Sequence, residues 1–253
     1  MKEFQNINYQ FIDNQKEFNT IVLPGFLQTA KSYEVMFQTI SKYTNIYFIE
    51  LPGFGVTKAL DKVVNLDYYV IYLNDFINTL KIKNVILLGH SFGGRVISKY
   101  EAIYHFAKTI ILISPAGIRN KSIKTKFKIL KYKLYKKVLK ILHLKNKYQA
   151  LIKNSGSSDY KLLDEISKQT FNNIIKEDTK KYLKKINIPT LLIWGKLDKT
   201  NFLTNGFKTN KLIKNSSLII IEDTGHFPHL EKQVLVNNIL DEFYKEVIPL
   251  ITY

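Results

Sequence analysis

From Thr20 to Ser114 the chain alternates short, unbroken apolar runs with longer stretches whose apolar residues recur every three or four positions, and the rhythm resumes after Pro189. The runs are "NTIVLPGF", "NIYFIELPGFG", "NVILLGHS", "KTIILISPAG", "IPTLLIWGKLD" and "SLIIIEDTGH", each ending in glycine or a polar turn. A strand with no polar side is one covered on both faces of its sheet, which predicts a mostly parallel sheet. Between the runs, "SYEVMFQTISKY", "LDYYVIYLNDFINTLKI" and "GGRVISKYEAIYHFA" have the spacing of helices that lay one face on such a sheet. The pattern predicts an α/β fold with crossover helices.

Residues 119–186 break the rhythm, with helical periodicity and no convincing strand. Ile123, Phe127, Leu130, Leu134, Val138 and Ile141 share one helical face. A second helical stretch, "DYKLLDEISKQTFNNIIKEDTKKYLKKI", follows an "NSGSSD" break whose Ser and Asp can cap a helix. The expected organisation is a core in two parts, 1–118 and 187–253, with a lysine-rich helical cap at 119–186 inserted between them.

Composition changes this picture in two places. With no cysteine, a disulfide framework is excluded. The opening "MKEFQNINYQFIDNQ" has no apolar leader, and no apolar run approaches the ~20 residues that span a bilayer, so a soluble, cytoplasmic protein is expected. The net charge of +17 is local: thirteen Lys or Arg and no Asp or Glu lie between Arg119 and Lys153, leaving +4 for the rest. Of the 38 basic residues only Arg95 and Arg119 are arginine, and lysine lacks the planar fork that reads phosphates and bases. No nucleic-acid motif accompanies the charge, so no nucleic-acid partner is expected. The lysines read either as a solvated face or as an attraction to an anionic membrane or an acidic acyl-carrier protein.

The chemistry begins at "VILLGHSFGG". Gly89-His90-Ser91-Phe92-Gly93 fits G-x-S-x-G between a strand and a helix, the context of a nucleophile elbow, although a small residue in a tight turn has the same local pattern. In the elbow reading the Phe92 N–H, at a helix start, faces a developing oxyanion. Serine then needs a base and a group that orients the base. Of five histidines, His90 sits inside the elbow, His105 ends the following helix and His143 lies in the insertion. His226 follows the last strand, where loops converge on the carboxyl edge of an α/β sheet. His229 is expected as a neighbour lining the site. The orienting acid should close another strand: Asp198, past the turn at Gly195, meets this, whereas Asp223 is too near His226 and Glu222 reads as strand.

The order Ser91, Asp198, His226, with "LPGFLQT", "IELPGFGVT", "PTLLIWGKLDKT" and "DTGHFPHLEK" in sequence, resembles the α/β-hydrolase superfamily, in particular bacterial serine hydrolases with a helical cap. The resemblance covers nearly the whole chain outside the cap. It implies a second oxyanion N–H from the loop after the first central strand, where Pro24-Gly25-Phe26 stands for the usual His-Gly-x. Phe26 is the expected donor, with Leu27 the alternative. Glu50 replaces the customary aspartate of the second loop. The implied reaction is acyl transfer to water without cofactor or metal: Ser91 attacks an ester carbonyl, His226 moves the proton and Asp198 holds the imidazole. Serine at the elbow disfavours the related enzymes that use a carboxylate nucleophile. Leu27, Phe127, Leu130 and His229 are the expected substrate contacts, with apolar cap residues suiting apolar acyl esters. Two alternatives stay open: a C–C bond hydrolase acting on ring-cleavage products, and a hydrolase-like ligand-binding protein with little turnover.

Overall fold

The computed structural model describes residues 2–4, 7–26, 28–53, 60–119, 134–140, 144–145 and 163–252. Among these residues eight strands form one sheet in the order β1-β2-β4-β3-β5-β6-β7-β8. They are β1 (Lys2–Phe4), β2 (Ile7–Ile12), β3 (Asn19–Leu23), β4 (Asn45–Ile49), β5 (Val85–His90), β6 (Thr109–Ile113), β7 (Thr190–Gly195) and β8 (Ser216–Ile221). All six strands expected from the apolar runs are present, and β3 to β8 pair in parallel. The two N-terminal strands are an addition: β1 pairs antiparallel with β2, and β2 antiparallel with β4.

Among the described residues the helices include α1 (Glu34–Ile40), α2 (Leu66–Thr79), α3 (Phe92–Tyr104), α4 (Glu165–Ile174), α5 (Lys180–Leu183), α6 (Leu203–Leu212), α7 (Pro228–Glu231) and α8 (Gln233–Ile251). Successive strand residues divide the core into two layers, as the strand period of two requires. Ile21, Leu23, Leu87, Ile110 and Leu112 pack with α2 and α3 residues such as Tyr69, Phe76, Val96 and Ile97. Val22, Ile86, Leu88, Ile111 and Ile113 pack on the other side with Phe37 and Ile40 of α1 and Leu240, Tyr244 and Val247 of α8. Strands β5, β6 and β7 are buried at every position, which is why they read as continuous apolar runs.

After β3 the chain moves outward to β4 and then crosses back to form β5 on the other side of β3. This reversal is a topological switch point, where the loops at the carboxyl ends diverge and leave a crevice. The register sets Leu23 opposite Gly89, so the loop after β3 and the turn after β5 lie side by side.

In the predicted cap, residues 134–140 are helical, but Leu134 and Val138 are exposed and Leu139 is buried. The contact face of this stretch is therefore turned from the one that the spacing predicts. Ile123, Phe127, Leu130 and Ile141 lie outside the described residues. So does "NSGSSD": α4 starts later, and Asp164 caps it by accepting from the Ser167 N–H at 2.8 Å. Leu163, Ile174, Leu183 and Ile186 belong to the same apolar layer as α2 and α3. Among the described residues no helix is long and apolar enough to cross a membrane.

Candidate active site

Strand β5 ends at His90 and α3 begins at Phe92, so Ser91 alone makes the turn, at φ 48° and ψ −105°. A non-glycine residue held there carries strain on the order of 1–3 kcal/mol, which persists only where surrounding contacts impose it. Here they do. The Ser91 N–H donates to the Ile113 carbonyl at 3.0 Å, and the Ser91 carbonyl accepts from Ala116 and Arg95 at 2.8 and 3.1 Å. On the facing side the Gly93 N–H donates to the Pro24 carbonyl at 3.1 Å. A Cβ at Gly93 would stand 2.0 Å from the Leu23 carbonyl oxygen, so only glycine permits this approach of α3 to the loop after β3.

The other two predicted residues come from neighbouring loops. Asp198 follows β7 and is buried; its Oδ1 accepts from the N–H groups of Thr200 and Asn201 at 2.8 and 2.7 Å. That leaves Oδ2, 2.7 Å from His226 Nδ1, while His226 Nε2 lies 2.9 Å from Ser91 Oγ. The three side chains form one continuous series. With Nδ1 donating to the carboxylate, Nε2 is free of its proton and can accept from the serine hydroxyl. The β7 and β8 loops are tied together by the Leu197 N–H donating to the Thr224 carbonyl at 2.8 Å. Glu222 lies just past β8 rather than within it, paired with Lys196 at 2.7 Å.

Three positioning residues escaped the sequence reading. Glu231 accepts from the N–H groups of Gly225 and Phe227, at 2.7 and 3.1 Å, and so grips the backbone on both sides of His226. Its reach back from a helix start resembles half of a capping box, the one signal that could have exposed it. Gln28 Oε1 accepts from the Gly25 N–H at 2.8 Å and from the Tyr33 hydroxyl at 2.8 Å, and contacts His90 Nδ1 at 2.7 Å. His90, in turn, places Nε2 2.9 Å from the His226 carbonyl. The two His90 contacts join residues far apart in sequence and leave no local pattern.

His229, expected in the site lining, lies instead in this buried layer. It is 4% exposed, stacks on Tyr33 and accepts at Nε2 from Gln28 Nε2 at 3.1 Å. Helix α7 turns its ring inward, behind His90. Burial lowers its pKa to about 3, with His226 nearby adding to the effect. Burial likewise pushes His90 well below its ordinary value, reinforced by His229 and His226. Both rings are neutral at physiological pH.

Ser91, His226 and His90 open onto a cavity of about 230 Å³. Its other walls include Phe26 and Phe92, the two expected oxyanion donors, and Phe171, Ile174 and Ile175 at α4. The Phe26 ring meets Phe171 edge-on at 5.5 Å, and the Phe92 ring packs against Tyr69. Phe92 is the first residue of α3, so its N–H belongs to the positive end of that helix. Of the expected substrate contacts, Leu27, Phe127 and Leu130 lie outside the described residues. Among the described residues no cluster of three or more His, Cys, Asp or Glu side chains is placed to hold a metal ion.

A family model described as "Serine aminopeptidase, S33" (Hydrolase_4) matches residues 17–233. The chain belongs to this family of α/β hydrolases. Among its relatives is an uncharacterized hydrolase, YugF, of Bacillus subtilis, 24% identical, with 95% of this chain and 94% of the relative covered. Another is a pimeloyl-[acyl-carrier protein] methyl ester esterase of Wigglesworthia glossinidia brevipalpis, 26% identical over 90% of this chain and 94% of the relative. A meta-cleavage product hydrolase from Pseudomonas fluorescens superposes on this α/β hydrolase with a TM-score of 0.70 at 19% identity, covering 95% of this chain and 94% of its own, a likeness of fold.

Proposed function

We propose that this α/β hydrolase is a serine esterase that cleaves carboxylic esters of apolar acyl groups through an acyl-enzyme. The observation that carries the reading is the unbroken series Asp198, His226, Ser91 opening onto a largely apolar cavity. Ser91 Oγ attacks the ester carbonyl while His226 Nε2 takes its proton; the tetrahedral oxyanion is received by the N–H groups of Phe26 and Phe92. Collapse expels the alcohol, which takes the proton back from His226. Water, deprotonated by the same ring, then releases the acid and restores Ser91. Asp198 fixes the imidazole tautomer and stabilises the imidazolium between steps. The relative named as a methyl ester esterase supports ester chemistry.

We also read 119–186 as a cap, supported by the Phe171, Ile174 and Ile175 side chains that wall the cavity from its second half. The lysine-rich part lies mostly outside the described residues and is assigned no partner.

A fluorophosphonate probe with p-nitrophenyl butyrate as substrate tests the proposal. Labelling of the wild type at Ser91 and hydrolysis, both lost in Ser91→Ala, are expected. Absent labelling, or labelling and turnover that persist in Ser91→Ala, would overturn it.

A further inference from the structure

Arg95 follows Ser91 by one helical turn on α3 and contributes to the wall of the same cavity. It is 5% exposed. Its Nη1 donates to the Ile174 carbonyl, while its Nε is buried with no hydrogen-bond partner. Among the described residues no carboxylate lies within ion-pair distance of the guanidinium. The two acids that act on it most are engaged elsewhere. Glu177 takes Lys99 at 2.9 Å and Lys181 at 3.7 Å and accepts from the Tyr182 hydroxyl, and Asp178 takes Lys180 at 3.4 Å.

A buried cation without a counter-charge is costly, and proteins keep one where something else supplies the anion. Burial lowers the Arg95 pKa to about 10, with Glu177 and Asp178 opposing the shift and Arg119 adding to it. The group is therefore charged at neutral pH. Its fork offers several N–H donors and spends one on Ile174. Around it the cavity is apolar, with Phe26, Phe171, Ile174 and Ile175 on its walls. An apolar chamber whose wall includes both Ser91 and one under-used guanidinium suits a ligand that is mostly hydrocarbon and carries one carboxylate.

We propose that Arg95 is an anion subsite of the active-site cavity, which takes a carboxylate carried by the ester substrate a few bonds from the scissile carbonyl. The substrate class is then the acidic ester: a half-ester of a short dicarboxylic acid, or an ester of a hydroxy acid. This rests on the serine-esterase reading above and adds one carboxylate to the otherwise apolar ester it names.

Two matched pairs test the subsite: p-nitrophenyl hemiglutarate against p-nitrophenyl valerate for a carboxylate in the acyl part, and butyryl glycolate against ethyl butyrate for one in the alcohol part. The quantity read is the ratio of kcat/KM, acidic over neutral, within each pair. The wild type should favour the acidic member of one pair, and Arg95→Met should lower that ratio by about 30- to 100-fold, the scale of losing a charge-assisted fork. Arg95→Lys, which keeps the charge without the fork, should fall between. It also serves if circular dichroism shows Arg95→Met to be unfolded. Ratios unchanged within about threefold in both pairs would overturn the subsite and leave Arg95 as a strut for the Ile174 carbonyl.

Calorimetry with glutarate reads the subsite without catalysis. If Ser91 is inert to fluorophosphonate and no ester turns over, the esterase reading fails, yet the wild type should still bind glutarate and Arg95→Met should not. Absence of glutarate binding to the wild type, with no selectivity for either acidic ester, would overturn the subsite alone.

Discussion

The turn that holds Ser91 and the loops that hold Asp198 and His226 meet at one cavity but are fixed by different physics. Ser91 is forced into position by backbone: φ 48°, main-chain bonds to Ile113 and Ala116, and an α3 that approaches the end of β3 as closely as Gly93 allows. Asp198 and His226 are held by side chains gripping backbone, with two N–H groups on Asp198 Oδ1 and two on the Glu231 carboxylate. A serine placed by steric compulsion cannot be relaxed without remaking the core. A histidine placed by hydrogen bonds can be loosened one bond at a time. His226, the proposed base, sits on the more adjustable of the two supports.

The largest expected effect falls on the hydrogen-bonded side. Asp198→Asn keeps the shape of the loop but offers the imidazole no carboxylate, and kcat on p-nitrophenyl butyrate should fall roughly 10⁴-fold with little change in KM. On the steric side, Gly93→Ala drives a methyl group into the Leu23 carbonyl, and urea unfolding should show a loss of about 3–5 kcal/mol or failure to fold.

Between the two supports lie the buried His90 and His229. Both have folded pKa values below those of the unfolded chain, so under acid the unfolded state takes up protons that the folded state refuses. Stability should therefore fall as pH drops below about 6.5 and go on falling toward His229's folded value near 3, with about 2 kcal/mol for that residue at pH 5. Thermal melts between pH 7 and pH 4 should show this slope, and His229→Phe should flatten it. A slope that His229→Phe leaves unchanged would place the acid sensitivity elsewhere. Smallest is Glu231→Gln, which keeps one acceptor for two N–H groups. It should lower kcat about tenfold by loosening His226, whereas fluorophosphonate-accessible Ser91 stays in place. A Glu231→Gln enzyme with unchanged kcat would show that the β8 loop holds itself.

The same contrast explains what could be read from the residues alone. Steric and covered-sheet features are local: strands buried on both faces appear as apolar runs, and the elbow as glycines around a serine. The edge hairpin was missed because "INYQFI" alternates apolar and polar residues, with Tyr9 buried and Phe11 half-buried, and so reads as a polar stretch beside the central runs. Ser91, Asp198 and His226 were legible because each lies in the turn or loop that follows a strand. Glu231, Gln28 and His90 were not, since each is joined to a partner supplied by another element. His229 is expected to line the site but is buried, and the four residues of α7 are too few to show in the sequence which face turns inward.

The most direct measurement is mass spectrometry of the protein quenched from acid during turnover of p-nitrophenyl butyrate, followed by peptide mapping. A butyryl group on the peptide that contains Ser91, in the wild type and accumulating under excess substrate, is the expected result, with none in Ser91→Ala. Turnover of the ester with no butyryl group on that peptide, or with the group on another residue, would contradict covalent catalysis at the elbow.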